Sequence, residues 1–160
     1  MSFLPRLGDE DEGLTPQNLA FLERALEEPL AKHIQYLSVV LPAPIEAPEK
    51  FLRLVPRDMA YCWRSPTRTM LAGGGCTARL SATGEDRFAR LRDAAHDLFR
   101  RIAVRTAPGV EHYAPTIFGG AAFAPGVAPF EPWEEFVEDV FTLPRFGYRR
   151  NAKAAFFSVN

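Results

Sequence analysis

Two stretches of the chain space their apolar residues like helices, and the remaining apolar residues fall in short extended runs. Thr15 and Pro16 suit the N-cap and first turn of a helix, and Pro29 predicts its end near Glu28. The apolar positions of this first helix are Leu19, Leu22, Leu26 and Leu30. A clearer helix is predicted over residues 83–103, after a capping-box spacing of Thr83 and Asp86. The residues predicted to face its sheet are Phe88, Leu91, Ala95, Leu98, Phe99 and Ile102.

The extended runs come mostly in neighbouring pairs rather than alternating with helices. They span residues 33–41, 58–66, 68–75, 76–84, 116–126, 139–150 and 152–160, with short helices predicted around Phe51 and over 132–139. Adjacent strands favour an α+β fold, a largely antiparallel sheet with helices packed on one face. The acidic residues 9–12 predict a solvated lead-in over 1–14, followed by a single domain over 15–160.

The stretch "MLAGGGCTARL", residues 70–80, contains glycines in the order of a dinucleotide-binding fingerprint. Such a fingerprint leads directly from a strand into a helix, whose N-terminus holds the pyrophosphate. Here five further strand-like residues, "TARLS", precede Thr83, and no Gly-Lys-Ser/Thr follows. We therefore interpret Gly73 to Gly75 as structural, allowing a bulge, a tight bend or close backbone approach, and Gly119-Gly120 in the same way.

Composition and charge narrow the class of protein. The 160 residues carry a formal net charge of −1, which gives no electrostatic case for binding nucleic acid or an anionic membrane. No apolar run reaches the roughly 18 residues of a membrane span. The start "MSFLPRLGDEDEG" lacks the features of a signal peptide, so a cytoplasmic protein is expected.

Residue types that commonly carry chemistry show no functional spacing. Cys62 and Cys76 are too few for a disulfide framework and have no neighbouring histidine, and Glu134 and Glu135 point about 100° apart on a helix. The three histidines share no ligand spacing; they are His33, His96 and His112. No catalytic, cofactor-binding or metal-binding residue is predicted from these patterns.

The order of several motifs nevertheless resembles a known family. The stretch "AYCWRSPTRTMLAGGGCTARLSATGEDRFARL" resembles the N-terminal half of isochorismate synthases, within the chorismate-utilising enzymes. "VVLPAP", "FGGAAFAP" and "WEEFVEDVFTLPR" are similar to further segments of that half, so the resemblance covers roughly residues 35–160. The residues that fit the longest motif run are Tyr61, Trp63, Ser65, Pro66, Leu71, Ala72, Gly73, Gly75, Gly84, Arg87 and Phe88.

The resemblance implies half of the family's α/β sandwich and a magnesium-dependent isomerase acting on chorismate in menaquinone or siderophore biosynthesis. In such enzymes the catalytic lysine and glutamates and the magnesium ligands lie in the C-terminal half. None of Lys32, Lys50 and Lys153 matches the catalytic segment. We therefore expect this chain to be inactive alone and to hold no cofactor, its expected partner being the C-terminal half. We also expect the final strand, "AAFFSVN", to leave a sheet edge exposed and favour self-association.

Other assignments stay open at this stage. The parent enzyme could be an anthranilate, aminodeoxychorismate or salicylate synthase, since these differ chiefly in the C-terminal half. The chain could also be a free-standing module that binds a small molecule or has a regulatory role. The reading frame beyond Asn160 would separate a fragment from a module.

Overall fold

The computed structural model describes residues 15–45, 48–55, 59–66, 69–111, 113–124, 126 and 139–160. The helices in these ranges are α1 (Pro16–Glu27), α2 (Pro48–Leu52) and α3 (Arg87–Arg100). The strands are β1 (Tyr36–Ala43), β2 (Ala60–Arg64), β3 (Met70–Gly74), β4 (Ala78–Ala82), β5 (Ile102–Thr106), β6 (Phe118–Ala121), β7 (Asp139–Leu143), β8 (Phe146–Arg150) and β9 (Ala155–Val159). The predicted lead-in over 1–14, and most of the short helix predicted over 132–139, lie outside the described residues.

The strands form two sheets. The larger has the order β2-β3-β8-β9-β1-β5 and the smaller the order β4-β7-β6. Only β1 and β5 pair in parallel among the described strands, and every other described pairing is antiparallel. The predicted α+β class with a largely antiparallel sheet is therefore confirmed.

Helix α1 begins as predicted but buries less than expected. The Thr15 side chain accepts a hydrogen bond of 3.2 Å from the Asn18 backbone N–H, and Pro16 opens the first turn. Leu22 is buried and packs in the core cluster of β1, whereas Leu26 is 62 % exposed. The leucine repeat thus predicted the helix correctly, but only one side of its stripe meets the sheet.

Helix α3 is shorter than predicted, and the face that it buries differs from the predicted face. It spans Arg87–Arg100, and its N-cap is Asp86, which makes no side-chain cap hydrogen bond. The predicted capping box, which had Thr83 as its N-cap, is therefore wrong. Leu91 and Leu98 are buried as predicted. Phe88 and Phe99 are 56 % and 37 % exposed, against prediction. The buried face of α3 is centred on Arg87, Leu91 and Leu98. A residue that directly follows one of these lies about 100° further around the helix, towards solvent.

The end of this helix was also predicted too late. Ile102 is buried, but it opens strand β5, which pairs in parallel with β1 over residues 102–106. The apolar spacing of Ile102 fitted the helix, while the pairing with β1 decided its conformation.

Two corrections concern the C-terminal strands. The run 139–150 is not one strand, because Pro144 and Arg145 separate β7 in the small sheet from β8 in the large one. Proline has no N–H for a sheet ladder, which accounts for the break. The hairpin of β8 and β9 is confirmed, but β9 lies between β8 and β1 rather than at an edge. The edges of the large sheet are β2 and β5.

The glycine run at residues 73–75 is structural, as predicted. A Cβ on Gly74 would lie 2.3 Å from the Cβ of Val55, so the backbone of β3 passes too close to α2's following turn for any side chain. Gly75 has a φ of +68°, a left-handed conformation that glycine adopts without strain. Strand β4 lies between these glycines and α3 along the chain, so they do not lead directly into a helix as a dinucleotide-binding fingerprint does.

Candidate functional site

A pocket lies on the large sheet beside β8 and β9, next to the segment 113–118. Gly147 makes room for it, because a Cβ there would lie 2.5 Å from Ser158 Oγ and 3.9 Å from Tyr113 Oη. The residues that line the pocket are Leu71, Ala72, Tyr113, Thr116, Phe118, Pro144, Gly147, Tyr148, Arg149, Ser158 and Asn160. Its walls are therefore largely apolar, with a few polar groups that converge on its interior.

Asn160 connects the polar groups at one end of this pocket. Its side-chain Oδ1 accepts a hydrogen bond of 2.6 Å from Ser38 Oγ, and its Nδ2 donates one of 2.8 Å to the Pro144 carbonyl. Its backbone N–H donates to the Arg145 carbonyl at 2.9 Å, and its own carbonyl accepts from Thr77 Oγ1 at 2.9 Å. Asn160 thus links β1 to the break between β7 and β8 and to the chain before β4.

Tyr113 supplies a buried ionisable group to the pocket. Burial raises the pKa of its phenol above the ordinary value of 10.0, while the Ser158 hydroxyl, the Arg149 guanidinium and the Ser38 hydroxyl oppose this rise more weakly. The phenol is therefore neutral at neutral pH and able to donate a hydrogen bond.

Ser158 adds a second hydroxyl to the interior. It is 1 % exposed, and within the described part of the chain its Oγ makes no hydrogen bond of ordinary geometry. A buried hydroxyl without such a bond carries a desolvation cost. Together the phenol, this hydroxyl and the Arg149 cation make this end of the pocket polar, around a space that holds no more than about one water molecule.

Sequence reasoning had named no site residue and missed this group. A usable signal did exist, because Ser38 and Ser158 are single polar residues in otherwise apolar strand patterns, at positions that are fully buried. A polar side chain at such a position needs a partner. The sequence does not show that Tyr113, from a loop, supplies the facing group.

A second polar centre holds the motif arginine. Arg87 Nε lies 3.2 Å from Asp139 Oδ2, and the two side chains are 5 % and 0 % exposed. The arginine Nη atoms donate to the carbonyls of Gly84 and Ala122 at 3.4 and 3.3 Å, while the Ala122 N–H donates to Asp139 Oδ1 at 3.2 Å. The guanidinium also lies 4.4 Å from the ring centroid of Phe88. The Gly84-x-x-Arg87-Phe88 motif therefore connects the start of α3 to the end of β6 and the start of β7.

The other motif residues also make structural contacts. The ring of Tyr61 stacks on Phe118 with centroids 5.5 Å apart, and a Cβ on Gly73 would touch Pro144 at 3.0 Å. The backbone of Gly119 passes so close to β7 that a Cβ would lie 2.1 Å from the Val140 carbonyl oxygen. The stacking of Tyr61 on Phe118 joins the two sheets, whereas the close approach at Gly119 lies within the small sheet.

The residue types considered for chemistry in the sequence are scattered. Cys62 is exposed and Cys76 half-buried, both as free thiols. The remaining described candidates are exposed, namely His33, His96, Lys32, Lys50 and Lys153, whereas His112, Glu134 and Glu135 lie outside the described residues. Across the described ranges, no three histidine, cysteine, aspartate or glutamate side chains come together to hold a metal ion.

Comparison with known proteins identifies the family. A family model described as chorismate binding enzyme matches residues 20–160. The chain therefore belongs to the family of chorismate-binding enzymes. No curated protein and no solved structure matches it. Among the described helices, none combines the length and the apolar character needed to cross a bilayer.

Proposed function

We propose that this chain forms the N-terminal domain of an isochorismate synthase, which converts chorismate to isochorismate for menaquinone or siderophore biosynthesis. Family membership over residues 20–160 supports a chorismate-utilising enzyme. The narrower assignment is supported by the order of the motifs, from the aromatic-x-Trp-x-Ser-Pro strand through Gly84-x-x-Arg87-Phe88 to Leu143-Pro144-Arg145.

In this proposal the domain is a scaffold rather than the source of catalytic groups. The observation that carries this proposal is the burial of Arg87. This arginine is the charged residue of the longest motif run, and its side chain is almost fully buried. Its guanidinium is occupied by Asp139, two carbonyls and the Phe88 ring. An arginine held in this way fixes the relative position of α3 and the small sheet, and it is almost fully removed from solvent. The lysine, the glutamates and the magnesium ion would then come from a C-terminal half.

A second candidate is a free-standing module that binds a small molecule. The Tyr113 phenol, the Ser158 hydroxyl and the Arg149 cation would meet a carboxylate or similar oxygen group of such a ligand, although the space between them holds no more than about one water molecule. Chorismate carries carboxylates, and so do many regulatory metabolites. The parent enzyme could equally be an anthranilate, aminodeoxychorismate or salicylate synthase.

The test begins with the gene product at its full natural length. It is incubated with chorismate and magnesium, with and without ammonium as a nitrogen donor, and the products are separated by chromatography. Isochorismate as the product supports the proposal. Anthranilate, aminodeoxychorismate or salicylate would replace it with the corresponding synthase. A stop codon directly after Asn160, together with saturable ligand binding that Tyr113→Phe weakens, would replace it with the binding module.

A further inference from the structure

Strand β2 is an edge of the large sheet whose outer side carries no described strand. Four of its five residues are exposed, and Trp63 is 51 % exposed. An exposed edge with large apolar side chains is a template for pairing with another strand. The residues of β2 therefore determine which strand can pair with this edge.

The backbone groups that face outward from β2 follow from its register with β3. The Ser65 N–H donates to Thr69 O at 2.8 Å and the Gly75 N–H donates to Met59 O at 3.0 Å, so the odd-numbered residues of this segment bond to β3. Hydrogen-bonding direction alternates along an antiparallel strand. The N–H and C=O groups of Ala60, Cys62 and Arg64 consequently point away from the sheet.

The exposed backbone groups of this edge allow β2 to pair with a second copy of itself. We propose that a second copy of the chain pairs with it, β2 against β2 in antiparallel orientation, around a two-fold axis at Cys62. In that register Arg64 lies opposite Ala60 of the other copy, so the two arginines do not face each other. Like charges directly opposite would destabilise a strand pair. Arg64 also has Glu49 at 3.6 Å as a partner within its own chain.

The same register brings the aromatic residues together. Tyr61 of one copy lies opposite Trp63 of the other at a non-hydrogen-bonded position, where strands approach most closely and cross-strand aromatic pairs are favourable. The pair occurs twice by symmetry, and each Tyr61 already stacks on Phe118 at 5.5 Å. The dimer would thus cover Trp63 and continue an aromatic row from one copy into the other.

The other edge of the large sheet does not offer this match. On β5 the residues that flank Val104 are Ala103 and Arg105, and Arg105 is engaged with α1 through its ion pair with Glu28 at 3.2 Å. Val104 is 40 % exposed, so it is a suitable control position for a substitution on an edge that the dimer does not use.

Sedimentation velocity of the full 160-residue chain across a concentration series tests the proposal. The expected result is a concentration-dependent dimer whose dissociation constant rises at least about tenfold in Trp63→Ala and in Cys62→Lys, while Val104→Lys leaves it unchanged. Circular dichroism and thermal melting establish that each variant is folded. A chain that stays monomeric at all concentrations overturns the proposal and leaves the edge to another partner. A dimer that resists both β2 substitutions, or is broken by Val104→Lys, also overturns it.

Disulfide trapping tests the position of the axis. A central hydrogen-bonded pair has Cα atoms about 5.5 Å apart, which a disulfide can span. In Cys76→Ser, where Cys62 is the remaining thiol, diamide should take up the two hydrogens and leave a Cys62–Cys62 bond between copies. We expect covalent dimer in proportion to the dimer fraction. Its absence in a sample that is dimeric by sedimentation would overturn the Cys62-centred register.

Discussion

The Nε atom of Arg87 lies 3.2 Å from Oδ2 of Asp139, in a place where both side chains are almost fully removed from solvent. The pair joins residues that are 52 positions apart by their numbering, at the start of α3 and the start of β7. It also decides the orientation of α3, because turning Arg87 inward leaves Phe88 exposed. One buried ion pair therefore explains both why the motif contains an arginine and why α3 buries a different face from the predicted one.

Removing the carboxylate of this pair should be severely destabilising. Asp139→Ala leaves the Arg87 charge buried without its counter-ion, and we expect a loss of about 3–5 kcal/mol in the free energy of unfolding. Urea denaturation measures it. The matched control is Asp93→Ala, which breaks the exposed pair with Arg92 (side chains 66 % and 68 % exposed) and should cost within about 0.5 kcal/mol. Equal effects of the two substitutions would contradict the buried pair.

Leu98 and Phe99 are adjacent on α3 but should respond differently to truncation. Leu98 is 1 % exposed, so Leu98→Ala should cost about 2–5 kcal/mol through lost burial and the cavity left behind. Phe99 is 37 % exposed, and Phe99→Ala should cost clearly less. Thermal and urea unfolding of both variants compare them directly. A larger loss of stability for Phe99→Ala than for Leu98→Ala would instead support the buried face predicted from the sequence.

Gly119 and Gly120 provide a second neighbouring pair. A Cβ at Gly119 would lie 2.1 Å from the Val140 carbonyl oxygen, whereas a Cβ at Gly120 meets nothing within 4 Å. Gly119→Ala should therefore destabilise the domain by about 1–3 kcal/mol, as overpacking does. Gly120→Ala should change it by no more than about 0.5 kcal/mol. Urea unfolding curves that coincide for the two variants would show that β6 does not approach β7 in this way.

The buried phenol of Tyr113 predicts a pH dependence of stability. Its pKa is raised in the folded state, so the folded state holds the proton more tightly and stability falls as the pH rises above the unfolded value of about 10. Tyr113→Phe should lose this part of the alkaline decline. The measurement is the free energy of unfolding at pH 8 and at pH 10.5 for both proteins. An identical decline in the two would place the phenol in solvent.

Much of the fold could be predicted because local patterns and pairing agree. Thr15 and Pro16 correctly predicted the start of α1, and the extended runs 58–66 and 68–75 correctly predicted β2 and β3. The glycine run was correctly interpreted because a helix did not follow it directly.

The errors arise where distant residues decide the outcome. Ile102 has both helical and strand spacing, and only pairing with β1 places it in a strand. Arg87 is a charged residue that a periodicity analysis assigns to the surface, yet Asp139, from a different strand, makes its burial possible. The polar pocket was missed for the same reason, since Ser38, Tyr113 and Ser158 come from three separate segments.

The central claim, that this domain is the scaffold of an isochorismate synthase and not its catalytic part, is tested most directly by comparing two proteins in one assay. Residues 1–160 and the gene product at full natural length are each incubated with chorismate and magnesium, and isochorismate is quantified by chromatography. We predict isochorismate from the full-length product only. Turnover by residues 1–160 alone at about 1 per second or more, a rate typical of enzymes, would contradict the account by placing the catalytic groups in this domain.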